Sequence, residues 1–170
     1  MRSPFIIAID GRAASGKTTL SVKLADSGVS VVRMDDFFLP PELRTAERLA
    51  KPGENFHHER FAEEVLPFLR GNKAFSYRVF DCSAGTYTDT REITPAGIII
   101  VEGSYSCHPI LDEYMDLRVF LDVSHDVQLQ RIEARNGKKK AAEYAAKWIP
   151  LEEAYFEAFE IMQRADIIAN

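Results

Sequence analysis

The chain has 170 residues, of which 46% are hydrophobic and 28% are charged, and its net charge is −5 at pH 7. We expect a single domain, residues 1–170, with a substantial core. The negative charge disfavours a nucleic-acid-binding protein, and no apolar run approaches the roughly 20 residues of a membrane-spanning helix. Cys82 and Cys107 form no CxxC pair. We therefore expect a reduced, cytoplasmic setting without disulfides.

The predicted elements begin with a strand, a glycine-rich turn and a helix. Residues 5–9 form an apolar run that is typical of a parallel strand buried on both faces, and the run is too short for a signal peptide core. After the turn, Leu20 and Leu24 mark the apolar side of a helix, and residues 29–33 indicate a second strand. This order is typical of the start of a parallel α/β sheet.

The middle of the chain predicts a broken helix followed by irregular β structure. Apolar residues recur at helical spacing within residues 58–71, and we expect Pro67 to kink or split this helix. Residues 77–80 and 86–93 indicate two less regular strands.

Two further strands and a capped helix are predicted downstream. Residues 98–101 are the most continuous buried strand pattern, and residues 117–123 form another. Ser124 is a good N-cap for a helix that extends to Arg135. Residues 137–140, Gly-Lys-Lys-Lys, predict a basic loop.

The C-terminal part predicts an apolar helix after Pro150 and a last short strand at residues 167–168. The helical stripe consists of Trp148, Leu151, Tyr155, Phe159 and Met162. We expect the aromatic residues Tyr155, Phe156 and Phe159 to pack in the core rather than against an adenine ring. Strands that alternate with helices predict an α/β fold with a doubly wound, mainly parallel sheet, whose functional site lies at the carboxyl ends of the strands.

Residues 11–18, Gly-Arg-Ala-Ala-Ser-Gly-Lys-Thr, match the P-loop pattern G-x-x-x-x-G-K-[ST] at every constrained position. The glycines allow a tight turn whose N–H groups face phosphate oxygens, and the following helix directs its positive end at the same place. Lys17 supplies a cation for the β- and γ-phosphates, and Thr18 offers a hydroxyl to Mg²⁺. The predicted nucleotide-binding residues are Gly11, Ala13, Ala14, Ser15, Gly16, Lys17, Thr18 and Thr19.

Carboxylates follow two of the predicted strands. Asp35 and Asp36 come after the second strand, and Glu102 follows residues 98–101 in the place of a Walker-B-type acid. The aspartates could instead cap a turn, and Glu102 could lie in a surface turn, but the nearby P-loop favours a functional role. Phosphoryl transfer to an alcohol needs bound Mg²⁺ and a group that accepts the hydroxyl proton. We therefore predict Thr18 and Glu102 as metal-binding residues and a functional role for the aspartates.

These motifs occur in the order seen in the uridine kinase-like family of P-loop kinases, which stands among nucleoside, nicotinamide riboside and pantothenate kinases. The chain resembles that family over nearly its whole length. The segments that carry the resemblance are residues 11–18, 34–38, 80–81, 101–103, 126–135 and 165–168. The resemblance implies a three-layer α/β/α P-loop NTPase fold with a small lid at about residues 131–147. It also implies ATP and Mg²⁺ as cofactors and a small-molecule, nucleoside-like acceptor for the γ-phosphoryl group.

The resemblance further implies roles for individual residues. Asp35 is similar to the acid that takes the substrate hydroxyl proton and also contacts Mg²⁺ through water, so the implied metal site is Thr18, Glu102 and Asp35. Glu102 is similar to the second carboxylate beside the metal. Arg131 and Arg135, four residues apart on one helix face, are similar to the lid arginines that neutralise the transferred group. With Lys17, they complete the predicted catalytic set. The alternative for the arginines is a solvated helix face.

Two segments depart from the family pattern. Uridine kinases carry Asn-Phe-Asp-His-Pro where this chain has Asn-Phe-His-His-Glu at residues 55–59, so His57 replaces the aspartate that holds the ribose. The base-reading histidine is also missing, because Gly85 occupies its place. Uridine is therefore not the acceptor that these residues predict. The predicted acceptor-binding residues are Asp35, Phe37, His57, Phe80, Asp81 and Arg91.

Two other functions remain open, a nucleotide-hydrolysing switch and a non-catalytic nucleotide sensor. A switch protein would normally carry Asn-Lys-x-Asp, and residues 72–75, Asn-Lys-Ala-Phe, lack the acid. The intact set of Lys17, Thr18, Asp35 and Glu102 disfavours a sensor. We expect no nucleic acid or membrane partner, and homodimerisation is left open.

Overall fold

The computed structural model describes residues 3–111 and 113–170. Its centre is a five-stranded sheet of order β2-β5-β1-β6-β7, in which every neighbouring pair is parallel. The remaining two strands, β3 and β4, form an antiparallel hairpin. The strands are β1 (Phe5–Gly11), β2 (Ser30–Arg33), β3 (Phe75–Asp81), β4 (Thr86–Ile93), β5 (Ile98–Glu102), β6 (Leu117–Leu121) and β7 (Ile167–Ala169).

Helices cover both faces of the sheet and one end of it. They are α1 (Lys17–Ala25), α2 (Ala46–Leu49), α3 (His58–Glu64), α4 (Leu66–Leu69), α5 (His125–Asn136), α6 (Lys138–Glu143) and α7 (Ile149–Ala158). A π-helical turn, Tyr144–Trp148, lies between α6 and α7, and 3₁₀ turns occur at Met34–Phe37, Pro41–Leu43 and Pro109–Leu111. No helix in the described residues is long and apolar enough to cross a membrane.

The alternation of side chains in the central strands produces a separate core on each face of the sheet. Ile6 and Ala8 of β1 join a large cluster that includes Tyr155 and Phe156 of α7. Ile9 faces the other way and joins a smaller cluster beneath α1. Apolar strands buried on both faces are what a three-layer α/β/α sheet requires, and the predicted fold class is therefore confirmed.

The strand register brings three carboxyl ends to one edge of the sheet. Ile9 of β1 pairs with Glu102 of β5, and Arg33 of β2 pairs with the same residue. The P-loop after β1 and the 3₁₀ turn after β2 therefore start beside Glu102. This placement of chain segments is what assembles the site described below.

The structure also agrees with the predicted helix break, in that α3 and α4 are separate helices with Pro67 in the first turn of the second. The basic loop predicted at residues 137–140 is wrong. Gly137, at φ +83°, ends α5, and Lys138 begins α6 immediately afterwards. The three lysines therefore form the first turn of a helix, because the glycine reorients the chain without leaving a loop.

Candidate active site

A cleft of about 540 Å³ lies at the carboxyl edge of the sheet. This size is within the range of small-molecule sites. Its P-loop end is formed by Ala13, Ala14, Ser15, Gly16, Lys17, Thr18, Thr19, Arg131 and Arg135. Its Asp35 end is formed by Asp35, Phe38, Arg44, Asn55, Cys82 and Tyr105. Glu102 lies in the cleft wall between the two ends.

The P-loop is shaped by close approach and by hydrogen bonds within the loop. A Cβ at Gly11 would lie 2.1 Å from the carbonyl oxygen of Leu121 on β6, so only glycine fits there. Lys17 is buried, and its Nζ donates to the carbonyl oxygens of Gly11 at 2.6 Å and Arg12 at 2.8 Å. The lysine thus spans the loop from the cleft side, which keeps the loop open around a phosphate-sized space.

Both predicted lid arginines line the cleft, and Arg131 contacts the P-loop. Arg131 Nη1 donates to the carbonyl oxygen of Ala14 at 3.0 Å, and Arg135 Nε donates to Asn136 Oδ1 at 2.8 Å. Beneath them, Ile132 of α5 packs with Ala141 and Ile149 in an apolar cluster that also contacts the P-loop alanines. The segment predicted as a lid therefore rests on the P-loop in this conformation.

The carboxylates Asp35 and Glu102 face the same cleft. Thr18 Oγ1 lies 3.4 Å from Glu102 Oε2, a long hydrogen bond between the P-loop and β5. Burial raises the pKa of Glu102, and the charge of Asp35 raises it further. The Asp35 side chain opens onto the cleft, but protein encloses it on its other sides; this desolvation raises its pKa, while Lys17 opposes the shift. Two carboxylates that disfavour each other's charge are suited to share a cation.

The residues at the P-loop end fit a Mg²⁺-bound nucleoside triphosphate. The buried Ser15 hydroxyl has no hydrogen-bond partner within the described residues. Lys17 is a cation that forms no ion pair with a carboxylate of the described residues. Thr18, Asp35 and Glu102 are the oxygen donors that Mg²⁺ prefers. The described residues contain no compact group of three or more His, Cys, Asp or Glu side chains. A sparse donor set of this kind suits an ion held mainly by phosphates and water.

Sequence reasoning missed Glu152 of α7, which is buried and joins two walls of the cleft. Its Oε2 accepts from the backbone N–H of Ala13 at 3.0 Å, and its Oε1 accepts from the Ser104 hydroxyl at 2.7 Å. Burial raises the pKa of this carboxyl group, although the nearby Lys17 opposes the shift. The sequence did contain a signal for this role, because Glu152 is an acidic residue on the apolar side of α7, between Leu151 and Tyr155.

A second missed carboxylate, Asp10, supports the P-loop from below. It is fully buried and accepts from Gly11 N at 2.7 Å, from Cys107 N at 3.0 Å and from the Tyr155 hydroxyl at 2.8 Å. Burial raises its pKa, while these hydrogen bonds act in the opposite direction. The tyrosine predicted as core is therefore also a hydrogen-bond donor beneath the phosphate loop.

Five of the predicted acceptor-binding residues do not line the cleft. Phe37 and Phe80 are buried in aromatic packing, with Phe37 against Phe61 and Phe80 against Tyr87. Their register on the Met34–Phe37 turn and on β3 directs both rings inward, away from the cleft.

Asp81 and Arg91 have side-chain partners elsewhere, whereas His57 is held through its backbone and its Nδ1 is buried without a hydrogen-bond partner in the described residues. The His57 backbone N–H donates to the Phe37 carbonyl oxygen at 2.7 Å, which fixes the start of α3. Asp81 Oδ1 accepts from the Ser83 N–H at 2.7 Å and so closes the β3–β4 turn. Arg91 donates from Nε to Asp36 Oδ2 at 2.9 Å. Among the predicted acceptor-binding residues, only Asp35 therefore reaches the cleft.

The residues that do form the Asp35 end come from separate segments of the chain. Arg44 follows the 3₁₀ turn after Asp35, Asn55 precedes α3, and Cys82 follows β3. Tyr105 adopts φ +75° just after β5, and its ring stacks on Phe56 at 5.5 Å. Their proximity depends on tertiary folding, and the sequence offered no local signal for it.

Comparison with known proteins shows one consistent pattern. Residues 6–146 match the model of the Phosphoribulokinase / Uridine kinase family. Over 141 residues the chain is 33% identical to uridine kinase-like protein 4 of Arabidopsis thaliana, covering 76% of this chain and 29% of that protein. It is 28% identical over 145 residues to a uridine kinase of Limosilactobacillus reuteri, covering 76% and 64%. The chain thus spans less than two thirds of the length of both relatives.

The fold is shared with solved structures as well. A Bacillus stearothermophilus protein described as a possible uridine kinase superposes with a TM-score of 0.68 at 23% identity, covering 100% of this chain and 90% of that one. Because the two sequences are only 23% identical, this superposition shows a shared fold.

Proposed function

Because the chain belongs to the phosphoribulokinase/uridine kinase family, we propose that it is an ATP- and Mg²⁺-dependent kinase. It transfers the γ-phosphoryl group to a hydroxyl of a small, nucleoside-like molecule. The observation that carries this proposal is the convergence of the P-loop, Asp35 and Glu102 in one cleft. A phosphate site, a metal-side carboxylate and a proton acceptor are the three parts that transfer to an alcohol requires.

At the P-loop end, the proposed role of residues 11–19 is to bind the triphosphate. Lys17 exchanges its two carbonyl contacts for phosphate oxygens, and Thr18 and Glu102 hold Mg²⁺, together with Asp35. Mg²⁺, when bound, would neutralise the negative charge that develops on the phosphate oxygens. Arg131 and Arg135 neutralise the transferred group from the lid, residues 131–147, and help to exclude water.

At the Asp35 end, we assign Asp35 as the general base. It accepts the proton of the acceptor hydroxyl as that oxygen bonds to the γ-phosphorus and the bond to the departing ADP breaks. Asp36 supports this turn through the Tyr77 hydroxyl, which donates to Asp36 Oδ2 at 3.0 Å, and through Arg91. We therefore propose that Arg91 positions Asp35 from outside the cleft, through Asp36.

The alternative of a nucleotide-dependent switch gains no support from the cleft. Residues 72–75, the nearest sequence to a guanine motif, lie at the start of the β3–β4 hairpin and do not line it. We also propose a reducing, cytoplasmic setting, which is compatible with the free thiols of Cys82 and Cys107.

The test is ATP-to-ADP turnover with a panel of nucleosides, nicotinamide riboside, pantothenate and simple sugars, run beside Asp35→Asn. Turnover that requires an acceptor and is lost in the variant supports the kinase. Turnover that is independent of every acceptor and unchanged in Asp35→Asn would instead support a hydrolytic switch.

A further inference from the structure

The Asp35 end of the cleft contains a cation that the proposed transfer does not use. Arg44 lines the cleft, and its Nε donates to the carbonyl oxygen of Leu39 at 2.7 Å. Its Nη2 lies 3.9 Å from Cys82 Sγ, which is at most a weak interaction. Within residues 3–111 and 113–170, no carboxylate forms an ion pair with Arg44. The terminal Nη1 and Nη2 groups are therefore available to a ligand in the cleft.

Neighbouring arginines on the same side of the molecule are engaged differently. Arg48 pairs with Glu59 at 2.8 Å, Arg60 donates to the carbonyl oxygens of Asp36 and Arg78 at 2.5 Å, and Arg91 pairs with Asp36 at 2.9 Å. Each of these guanidinium groups holds two chain segments together. Arg44 holds only the nearby Leu39 carbonyl, so its charge is not consumed by the fold.

The phosphates of the nucleotide do not need this charge either. Lys17 and Arg131 already supply two cations at the P-loop, where Arg131 contacts the loop itself, and Arg135 supplies a third in the same cleft, where its charge acts on Asp35. Arg44 is instead fixed to the segment that follows Asp35, and it faces the end of β3. Arg44 forms no ion pair with Asp35 or with another carboxylate of the described residues, so its desolvation would be costly once a neutral acceptor displaced water from the cleft.

We propose that Arg44 binds an anionic group of the acceptor, so that the substrate is an alcohol that also carries a phosphate monoester or a carboxylate. This inference rests on the proposed kinase function, since Asp35 must face the hydroxyl while Arg44 faces the anion. The planar guanidinium forms two parallel hydrogen bonds to either anion, which gives orientation as well as affinity. The remaining wall, formed by Phe38, Asn55 and Tyr105, would contact the carbon skeleton between the two groups.

The experiment compares related acceptors in which one hydroxyl-bearing group of the neutral member is replaced by an anionic group. Turnover is measured with ribose and ribose 5-phosphate, uridine and uridine 5′-monophosphate, and glycerol and glycerate, using wild-type protein, Arg44→Met, Arg44→Lys and Arg164→Met. Arg164 is exposed, so its loss removes the same charge outside the cleft. We expect the anionic member of at least one pair to be preferred. Comparing the phosphorylated acceptors with glycerate shows whether Arg44 binds a phosphate monoester or a carboxylate. Arg44→Met should raise the KM of that acceptor by about 10- to 100-fold, leave the KM of ATP unchanged and spare neutral acceptors.

Two results would overturn the proposal. One is a preference for neutral acceptors that Arg44→Met leaves intact. The other is an equal fall in kcat for neutral and anionic acceptors, which would place Arg44 on the transferred phosphoryl group.

A binding measurement separates this inference from the kinase function. Calorimetry with the same acceptors is carried out on protein loaded with Mg²⁺ and a non-hydrolysable ATP analogue. Anion binding that Arg44→Met abolishes, without any turnover, would retain the Arg44 site and reject the kinase. Binding and turnover that are both insensitive to Arg44→Met reject the Arg44 site and leave the kinase standing.

Discussion

The P-loop end and the Asp35 end of the cleft differ in how the chain builds them. The P-loop end uses consecutive residues whose backbone N–H and carbonyl groups make the site, with Lys17 bonded to the loop itself. The Asp35 end uses single side chains from separate segments, held in place by ion pairs such as that of Arg91 with Asp36. A backbone-built site tolerates little change of conformation, whereas a site built from side chains can exchange them one at a time. We infer that the first end sets the reaction and the second sets the acceptor.

The largest effect should come from Asp35, which lies where the two ends meet. Replacing it with Asn should lower kcat by about 10²- to 10⁴-fold, because no group then accepts the hydroxyl proton, while ATP binding persists. Since burial raises the pKa of Asp35, wild-type activity should also fall as the pH decreases through that pKa, earlier than for an ordinary aspartate. A pH–rate profile and ATP titration measure both effects. Asp89→Asn, on the exposed β4 strand, is the control, and an Asp35→Asn enzyme with normal kcat would remove the base from the mechanism.

Replacing Lys17 with Met should have the next largest effect, and it should be confined to the P-loop end. Loss of one preorganised donor to the phosphates typically lowers kcat by about 10²- to 10³-fold, and the KM of ATP should rise as well. The acceptor KM should change little. Lys23→Met, an exposed lysine in the last turn of α1, is the matched control. An unchanged KM and kcat for ATP would contradict the assignment of the phosphate loop.

The same contrast explains what the sequence predicted. Residues 11–18 could be recognised because the site and the motif are the same stretch of chain, and Asp35 and Glu102 because strand ends meet at one sheet edge. Arg44 and Cys82 could not be found, since they meet only after the β3–β4 hairpin folds against the turn that follows β2.

Differences between the sequence prediction and the structure have equally physical causes. Asp81 and Arg91 have the charges expected of a substrate site, but a turn and an ion pair within the protein use those charges. Lys138 begins α6 where a loop was expected, because one glycine can both end a helix and start the next.

Glu152 offers a third test, since it ties the P-loop to the segment after β5. Glu152→Ala leaves the Ala13 N–H without its acceptor, and we expect the KM of ATP to rise about tenfold. Glu152→Gln should stay within about threefold, because the amide can accept from Ala13 and donate to the Ser104 hydroxyl. Steady-state kinetics compare both variants with Glu157→Gln, an exposed acid on the same helix. Equal defects in the Ala and Gln variants would show that the charge, not the hydrogen bonds, matters.

A smaller effect is expected for Arg91, which acts on Asp35 only through Asp36. Arg91→Met removes the 2.9 Å ion pair but leaves the Tyr77 hydrogen bond, so the acceptor KM and kcat should change by about 3- to 10-fold with the KM of ATP unchanged. Arg78→Met, on the neighbouring strand, removes an exposed ion pair with Glu64 and should spare both constants. A change in the KM of ATP alone would show that the two ends of the cleft are not independent.

The smallest effect should arise from the ion pair that supports the segment around Arg44. Burial tends to raise the pKa of Glu59, but hydrogen bonds from Arg48 prevail and lower it from 4.5 to about 2. A folded-state pKa below that of the unfolded chain stabilises the protein above about pH 4.5, and this contribution is lost as the pH falls towards 2. Because Glu59 is half exposed, Glu59→Gln should cost less than about 1 kcal/mol at pH 7 in urea unfolding.

That difference between wild type and Glu59→Gln should shrink when both are compared at pH 3. At pH 7, amide hydrogen exchange in the variant should accelerate between residues 44 and 59 and remain unchanged in the P-loop. The reason is that Arg48 also donates to the Phe56 carbonyl oxygen at 3.0 Å, so loss of its carboxylate partner loosens the chain that carries both Arg44 and Asn55. Equal acceleration in the P-loop would mean that the ends share one cooperative unit, and acceptor specificity could then not change without disturbing the phosphate site.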